Sequence, residues 1–73
     1  MLTLAELVKQ KRLEDNLSLK RLAEVTGIGY VTVWKIEKRG YTQLTFDTIG
    51  KLCDWLEISP RELRDIVEVS KSV

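Results

Sequence analysis

The stretch LKRLAEVTGIGYVTVWKIEK, from Leu19 to Lys38, decides the predicted fold of this 73-residue chain. Apolar residues recur at helical spacing on both sides of the central TGIG, which predicts two short helices joined by a turn of fixed size. Gly27 can adopt the positive φ that ends a helix, and the small Ala23 lets a second helix cross closely. We expect Ile28 to fill the corner between the two helices.

Cap signals predict where the helices outside this stretch begin. Thr3 followed three residues later by Glu6 is a capping-box pattern, and the helix that it opens should end near 14–16. The other predicted starts are Ser18 and Gly29 in the central stretch, Thr45 for a fourth helix, and Ser59-Pro60 for a fifth. Because no segment alternates apolar and polar residues, we predict a single all-α, five-helix domain over residues 1–73, with the paired helices at about 19–38.

The apolar stripes of these helices predict the hydrophobic core. Its expected members are Leu7, Val8, Leu17, Leu22, Ala23, Ile28, Val33, Ile36, Phe46, Ile49, Leu52, Cys53, Leu56, Ile58 and Leu63. Cys53 should be a buried thiol, since the chain has no histidine that could activate it. The apolar stripes do not explain why glycine occurs at position 50, inside the predicted fourth helix.

The central stretch resembles the helix-turn-helix of a known family. SLKRLAEVTGIGYVTVWKIE, residues 18–37, is similar to that motif in the lambda-repressor-like (Cro/repressor, or Xre-type) DNA-binding domains. LVKQKRLEDNLS resembles the first helix of the family, and FDTIGKLCDWLEISPREL resembles its fourth and fifth helices, so roughly residues 4–63 are covered. The resemblance implies that the third helix reads the DNA major groove while the second crosses the backbone.

Composition and charge narrow the classes of function. One cysteine and no histidine exclude an internal disulfide and a Ser-His-Asp triad, and no glycine-rich phosphate loop occurs. We therefore expect that the protein is not an enzyme and that it binds no cofactor, metal ion or small-molecule substrate. Because the sequence shows no signal peptide and no membrane span, we also expect a cytoplasmic protein. Residues 1–45 carry eight basic and five acidic side chains, and residues 46–73 carry four and six. The half with the helix-turn-helix is thus the positive half, which favours a DNA-binding face there.

The predicted third helix has an unusual outward face. In the resembling family these positions are mostly polar, whereas here the expected base-reading residues are Tyr30, Val31, Trp34 and Lys35. Phosphate contacts are expected from Lys9, Lys11, Ser18, Lys38, Arg39, Thr42 and Gln43. Two interpretations stay open: the helix reads thymine methyls and groove shape, or its apolar face contacts a protein, as in an antitoxin or anti-repressor.

Arg12 and Glu37 match a pair of positions in the resembling family. There, an arginine late in the first helix pairs with a glutamate at the end of the recognition helix. A bidentate pair between Arg12 and Glu37 would lock the angle between the two helices. The alternative is that both are solvated charges on separate faces.

A second interface is predicted near the C-terminus. Trp55 falls off the apolar stripe of the fourth helix, and the tail LRDIVEVSKSV carries a further apolar face. Since the family commonly dimerises through its fifth helix, we expect a homodimer built from Trp55, Ile66, Val67 and Val69. The alternative is that these residues pack within one chain. The predicted function is a small DNA-binding transcriptional regulator of the phage, mobile-element, antitoxin or restriction-controller type.

Overall fold

Five helices form at the positions that the cap signals predict. The computed structural model describes residues 3–40 and 44–72, with side chains as far as residue 68. Helices α1 to α5 span Leu4–Glu14, Leu19–Thr26, Tyr30–Arg39, Phe46–Leu56 and Pro60–Ser72. Because both described ranges are free of strands, the prediction of an all-α, five-helix fold is confirmed.

Side-chain caps begin most of the helices. The hydroxyl of Thr3 accepts the N–H of Glu6 at 3.3 Å, and the Glu6 carboxylate accepts the N–H of Thr3 in return. Ser18, Thr45 and Ser59 accept backbone N–H groups in the same way at 3.1–3.2 Å. Each cap satisfies a donor that has no partner within its helix, so local sequence alone is enough to define these starts.

Helix ends use the left-handed backbone conformation. Gly27 ends α2 with φ +74°, and Gly40 ends α3 with φ +80°, conformations in which a Cβ atom is unfavourable. Asn16 after α1 and Glu57 after α4 adopt positive φ as well. Asparagine tolerates this region, whereas Glu57 adopts it with a less suitable side chain.

The core lies where α1, α2 and α3 meet α4 and α5. Helix α3 packs on α1 and α2, while α5 packs on α4 and α1. The side chains that are buried or nearly so are Leu4, Val8, Leu22, Ile28, Val33, Ile36, Leu52, Cys53, Leu56 and Leu63. Leu4 is a core residue that the sequence analysis left out, and Leu7, Leu17, Ala23, Ile49 and Ile58 are only partly buried.

Phe46 was predicted to lie in the core, and that prediction was wrong. Its residue surface is 94% exposed. Burial along α4 declines toward its N-terminus: Leu52 is buried, Ile49 is partly buried, and Phe46, the first helical residue, is exposed. The periodicity places Phe46 on the inward stripe, but none of the described residues covers its side chain.

Candidate nucleic-acid interface

A bidentate ion pair joins α1 to the last turns of α3. Arg12 donates from Nε to Oε2 of Glu37 at 2.8 Å and from Nη2 to Oε1 at 3.1 Å. A third donor, Nη1, reaches the carbonyl oxygen of Leu17 at 2.7 Å. The side chains of Arg12 and Glu37 are 14% and 2% exposed. A planar guanidinium held by two fixed acceptors restricts rotation of α3 against α1.

The turn between α2 and α3 is closed by a threonine side chain. The hydroxyl of Thr26 donates to the carbonyl oxygen of Leu22 at 2.7 Å and accepts the N–H of Ile28 at 3.2 Å. Ile28 is buried beneath the turn, as its predicted role at the corner requires. Thr26 thereby satisfies polar groups at the point where the helical hydrogen bonds stop.

Lys51 on α4 contacts this turn from outside the helix-turn-helix. Its Nζ donates to the carbonyl oxygen of Gly27 at 2.9 Å and lies 2.7 Å from Oδ2 of Asp47, one turn earlier on α4. This contact was not predicted from the sequence, since Gly27 and Lys51 are 24 positions apart. The only local signal was the spacing of Asp47 and Lys51, which is typical of an ion pair within a helix.

The outward face of α3 exposes three large side chains. Tyr30, Val31 and Trp34 are 49%, 61% and 37% exposed, while Lys35 is partly buried. Tyr30 also borders a shallow depression of about 520 Å³ shared with residues 20, 23 and 24 of α2. All four predicted base-reading residues lie on the first two turns of α3, which starts at Gly29 without a side-chain cap.

Four of the predicted phosphate-binding residues have exposed side chains. Lys38 and Arg39 are exposed in the last turn of α3, and Lys9 is exposed on α1. Ser18 accepts the N–H of Arg21, and its hydroxyl proton can still be donated to a second acceptor. The predicted contacts at Thr42 and Gln43 lie outside the described residues.

Lys11, another predicted phosphate ligand, has two neighbours within the chain. Its Nζ lies 3.8 Å from Oδ2 of Asp15 and 5.8 Å from the centroid of the Trp55 ring. An ammonium group over an aromatic face is held there by cation–π attraction. Lys11 therefore faces α4, and a phosphate contact would have to compete with both neighbours.

The residues predicted to form the dimer pack largely within one chain. Trp55, Ile66 and Val67 are partly buried and lie against the hydrophobic core. The side chain of Val69 lies outside the described part of the chain. Cys53 is buried nearby, and burial, with the charges of Asp54 and Glu62 adding to it, raises the pKa of its thiol. The thiol is thus protonated at neutral pH and poorly nucleophilic.

The described residues contain neither a metal-ligand cluster nor a membrane-spanning helix. Among the residues that the structure describes, no three histidine, cysteine or acidic side chains come together as metal ligands. None of the helices within the described ranges combines the length and apolar character needed to cross a membrane.

The family of the chain follows from comparison with known proteins. Residues 3–68 match the family model of the Cro/C1-type HTH DNA-binding domain, and the chain belongs to this family of DNA-binding domains. Comparisons with curated proteins and with solved structures returned no significant match. The resemblance to the lambda-repressor-like family is thereby confirmed over nearly the whole chain.

Proposed function

We propose that this chain is a sequence-specific transcriptional regulator that reads duplex DNA by placing α3 in the major groove. The observation that carries the proposal is the contrast between the two faces of α3. Its inner face is buried, and the Arg12–Glu37 pair ties it to α1, while Tyr30, Val31 and Trp34 stay exposed on the outer face. A rigid helix with large exposed side chains is suited to docking into a preformed groove.

The proposed base contacts follow from the chemistry of the exposed side chains. Val31 offers an apolar surface to the methyl group of thymine, and the hydroxyl of Tyr30 can donate or accept a hydrogen bond. Trp34 contributes an apolar ring with one N–H donor. Lys35 can donate to the O6 and N7 acceptors of guanine. We therefore expect a site with thymine-bearing steps and at least one guanine.

Phosphate contacts would orient the helix without reading sequence. Lys38 and Arg39 supply cations at the end of α3, and Lys9 supplies one on α1. Ser18 lies at the N-terminus of α2, where unpaired N–H groups favour an anion. Lys11, Thr42 and Gln43 remain predicted contributors. Together these groups would fix the register of α3 in the groove.

The proposal is tested by selecting duplexes from a random pool and measuring binding as a function of salt. Arg39→Gln should weaken binding to every sequence and lower the salt slope by about one unit. Lys35→Met should cost about 1–3 kcal/mol on the selected site and little on random DNA. Lys71→Gln, which removes a cation from the last turn of α5, is the matched control and should change neither. Absence of binding to any duplex at low salt would contradict the proposal.

Thymine methyl groups provide a second, independent readout. Replacing thymine by uracil in the selected site removes only the methyl, so binding should weaken if Val31 packs against it. Val31→Ala should then make the protein insensitive to that replacement. A site that binds equally with uracil would show that the apolar residues serve another purpose.

The apolar character of the same face favours one alternative function. Tyr30, Val31 and Trp34 would also suit a protein-contact surface, as in an antitoxin or anti-repressor. The two functions can be separated in a Trp55→Phe background, where Trp34 is the remaining tryptophan. Quenching or a spectral shift of Trp34 on adding the selected duplex supports DNA reading. An unchanged spectrum with every duplex supports the alternative.

The biological setting is proposed only at the level of protein class. A regulator of this family would suit a phage, a mobile element, or a restriction or toxin–antitoxin locus. A homodimer reading a two-fold DNA site is part of the proposal, because two copies related by symmetry would contact two half-sites. The sequence-based choice of Trp55, Ile66, Val67 and Val69 for its interface stays a prediction.

A further inference from the structure

The outer face of α3 carries no free carboxylate or amide group for reading bases. The ten residues of this helix, all of which the structure describes, include one acidic residue and no asparagine or glutamine. The acidic residue is Glu37, whose two carboxylate oxygens both accept from Arg12 and whose side chain is 2% exposed. The side chains that most often pair with adenine, and those that accept from the amino group of cytosine, are therefore not available on α3.

Apolar surface takes the place of these polar groups. Tyr30, Val31 and Trp34 are exposed on the first two turns of α3. The major groove of ordinary DNA offers one apolar group to such side chains, the C5 methyl of thymine. Cytosine carries a hydrogen at the same ring position, and methylation at C5 places an identical methyl group there. The exposed face of α3 therefore suits 5-methylcytosine as well as thymine.

Lys35 distinguishes between these two bases through their pairing partners. Val31 and Lys35 are four residues apart, so their side chains are neighbours on one side of the helix. Lys35 forms none of the ion pairs found among the described residues, so its ammonium group is available to a base. Guanine, the partner of 5-methylcytosine, presents the acceptors O6 and N7, whereas adenine, the partner of thymine, presents N7 beside an amino donor. A lysine beside a methyl-binding valine favours the methylated C·G pair.

We infer that the protein recognises 5-methylcytosine, so that C5 methylation of a C·G pair in its site strengthens binding. Val31 would cover the methyl group, Lys35 would donate to the guanine, and the hydroxyl of Tyr30 can accept from the cytosine amino group. An unmodified cytosine would leave a gap of one methyl group beside Val31, which loses packing contacts. The inference rests on the proposed function, because it requires α3 to lie in the major groove.

The expected size of the effect follows from the methyl group alone. Burying one methyl group corresponds to about a fourfold gain in affinity. Because methylation adds no charge, methylated and unmethylated duplexes should show the same dependence of binding on salt. An equal salt slope separates this effect from a change in the number of phosphate contacts.

Fluorescence anisotropy of the full chain with synthetic duplexes tests the inference. Each pyrimidine of the selected site is synthesised in turn as thymine, cytosine and 5-methylcytosine, with the matching purine opposite and every other pair unchanged. At the position that Val31 contacts, 5-methylcytosine should bind about fourfold more tightly than cytosine. It should also bind at least as tightly as thymine, because the opposite guanine offers Lys35 two acceptors.

Three variants assign the effect to particular side chains. Val31→Ala should abolish the difference between cytosine and 5-methylcytosine. Val25→Ala, which truncates an exposed valine on α2, is the matched control and should retain it. Lys35→Met should keep the response to methylation but lose the preference for the methylated pair over T·A. Since Val25 and Val31 are both exposed, both alanine variants should fold, which thermal melting checks.

The outcomes keep this inference apart from the proposed function. Tight binding to the selected duplex, with methylation giving equal or weaker affinity at every position, overturns the inference alone. So does a gain on methylation that Val31→Ala leaves intact, since it would arise from the shape of the DNA. Failure to bind any duplex overturns the proposed function as well.

Discussion

The two sides of this molecule share one apolar core but differ in the polar contacts that accompany it. On the side of the helix-turn-helix, directional polar contacts hold α3: Arg12 binds Glu37 through two hydrogen bonds, and Lys51 binds the turn at Gly27. On the other side, α4 and α5 meet through apolar side chains and leave a groove beside Phe46. Hydrogen bonds depend on direction, so they restrict the angle between two helices more narrowly than the non-directional hydrophobic effect does. A helix that must fit another molecule at one angle needs the first kind of contact.

The largest effect is expected from breaking the ion pair between α1 and α3. Arg12→Ala leaves the buried carboxylate of Glu37 without its partner, which should lower the free energy of unfolding by about 3–5 kcal/mol. Arg21→Ala is the matched control: it removes an arginine from an exposed pair with Glu24, and should cost under about 1 kcal/mol. Urea denaturation at constant pH measures both.

A double substitution sharpens the interpretation of that result. Arg12→Met combined with Glu37→Leu removes both charges and retains apolar volume, so it should be less destabilising than Arg12→Ala alone. Equal losses from the single and double variants would show that packing of the Arg12 stem, and not the stranded charge, accounts for the effect.

Two glycines should respond to alanine with opposite signs. Gly27→Ala forces a Cβ atom into the left-handed conformation at the turn, and should destabilise the fold by about 1–2 kcal/mol. Gly50→Ala meets open space in a helix and should stabilise it by about 1 kcal/mol. Thermal melting of the two variants side by side checks the difference. Destabilisation by Gly50→Ala would mean that another part of the same chain fills the space beside Gly50.

A smaller effect is expected from Lys51. Lys51→Met keeps the length of the side chain but removes its hydrogen bond to Gly27, at a cost of about 1 kcal/mol for a partly exposed contact. Because Lys51 contacts the turn before α3, we also expect poorer discrimination between the selected site and random DNA. Lys20→Met, an exposed lysine on α2, is the control for stability. A destabilised variant with unchanged discrimination would limit Lys51 to a structural role.

The smallest effect concerns Cys53 and appears only at alkaline pH. Burial raises the pKa of its thiol above 9.0, so the folded state retains a proton that the unfolded state loses. This contribution to stability is complete below the unfolded pKa and is lost as pH rises through the folded value. Stability of the wild type should thus fall more steeply above about pH 9 than that of Cys53→Ala. Parallel curves would show that the thiol is not shielded.

Sequence by itself was sufficient for the features that depend on neighbouring residues. Contacts between residues two to four positions apart define the helix starts at Thr3, Ser18 and Ser59 and the glycine turn at Gly27. Such interactions form in the same way whatever the rest of the chain does. The family could be identified for the same reason, since it is defined by the order and spacing of these local features.

Only the tertiary structure decided which surfaces are covered and which distant groups meet. Helical periodicity places Phe46 on the inward stripe of α4. A side chain on that stripe is buried only if another part of the chain covers it, and none of the described residues covers Phe46. The resemblance suggested that Arg12 meets Glu37, yet the 2.8 Å contact exists because α1 and α3 cross at that point. No short-range pattern could reveal that Lys51 reaches Gly27 or that Lys11 faces Trp55. Contacts between residues far apart in sequence depend on how the helices are arranged, which no single segment encodes.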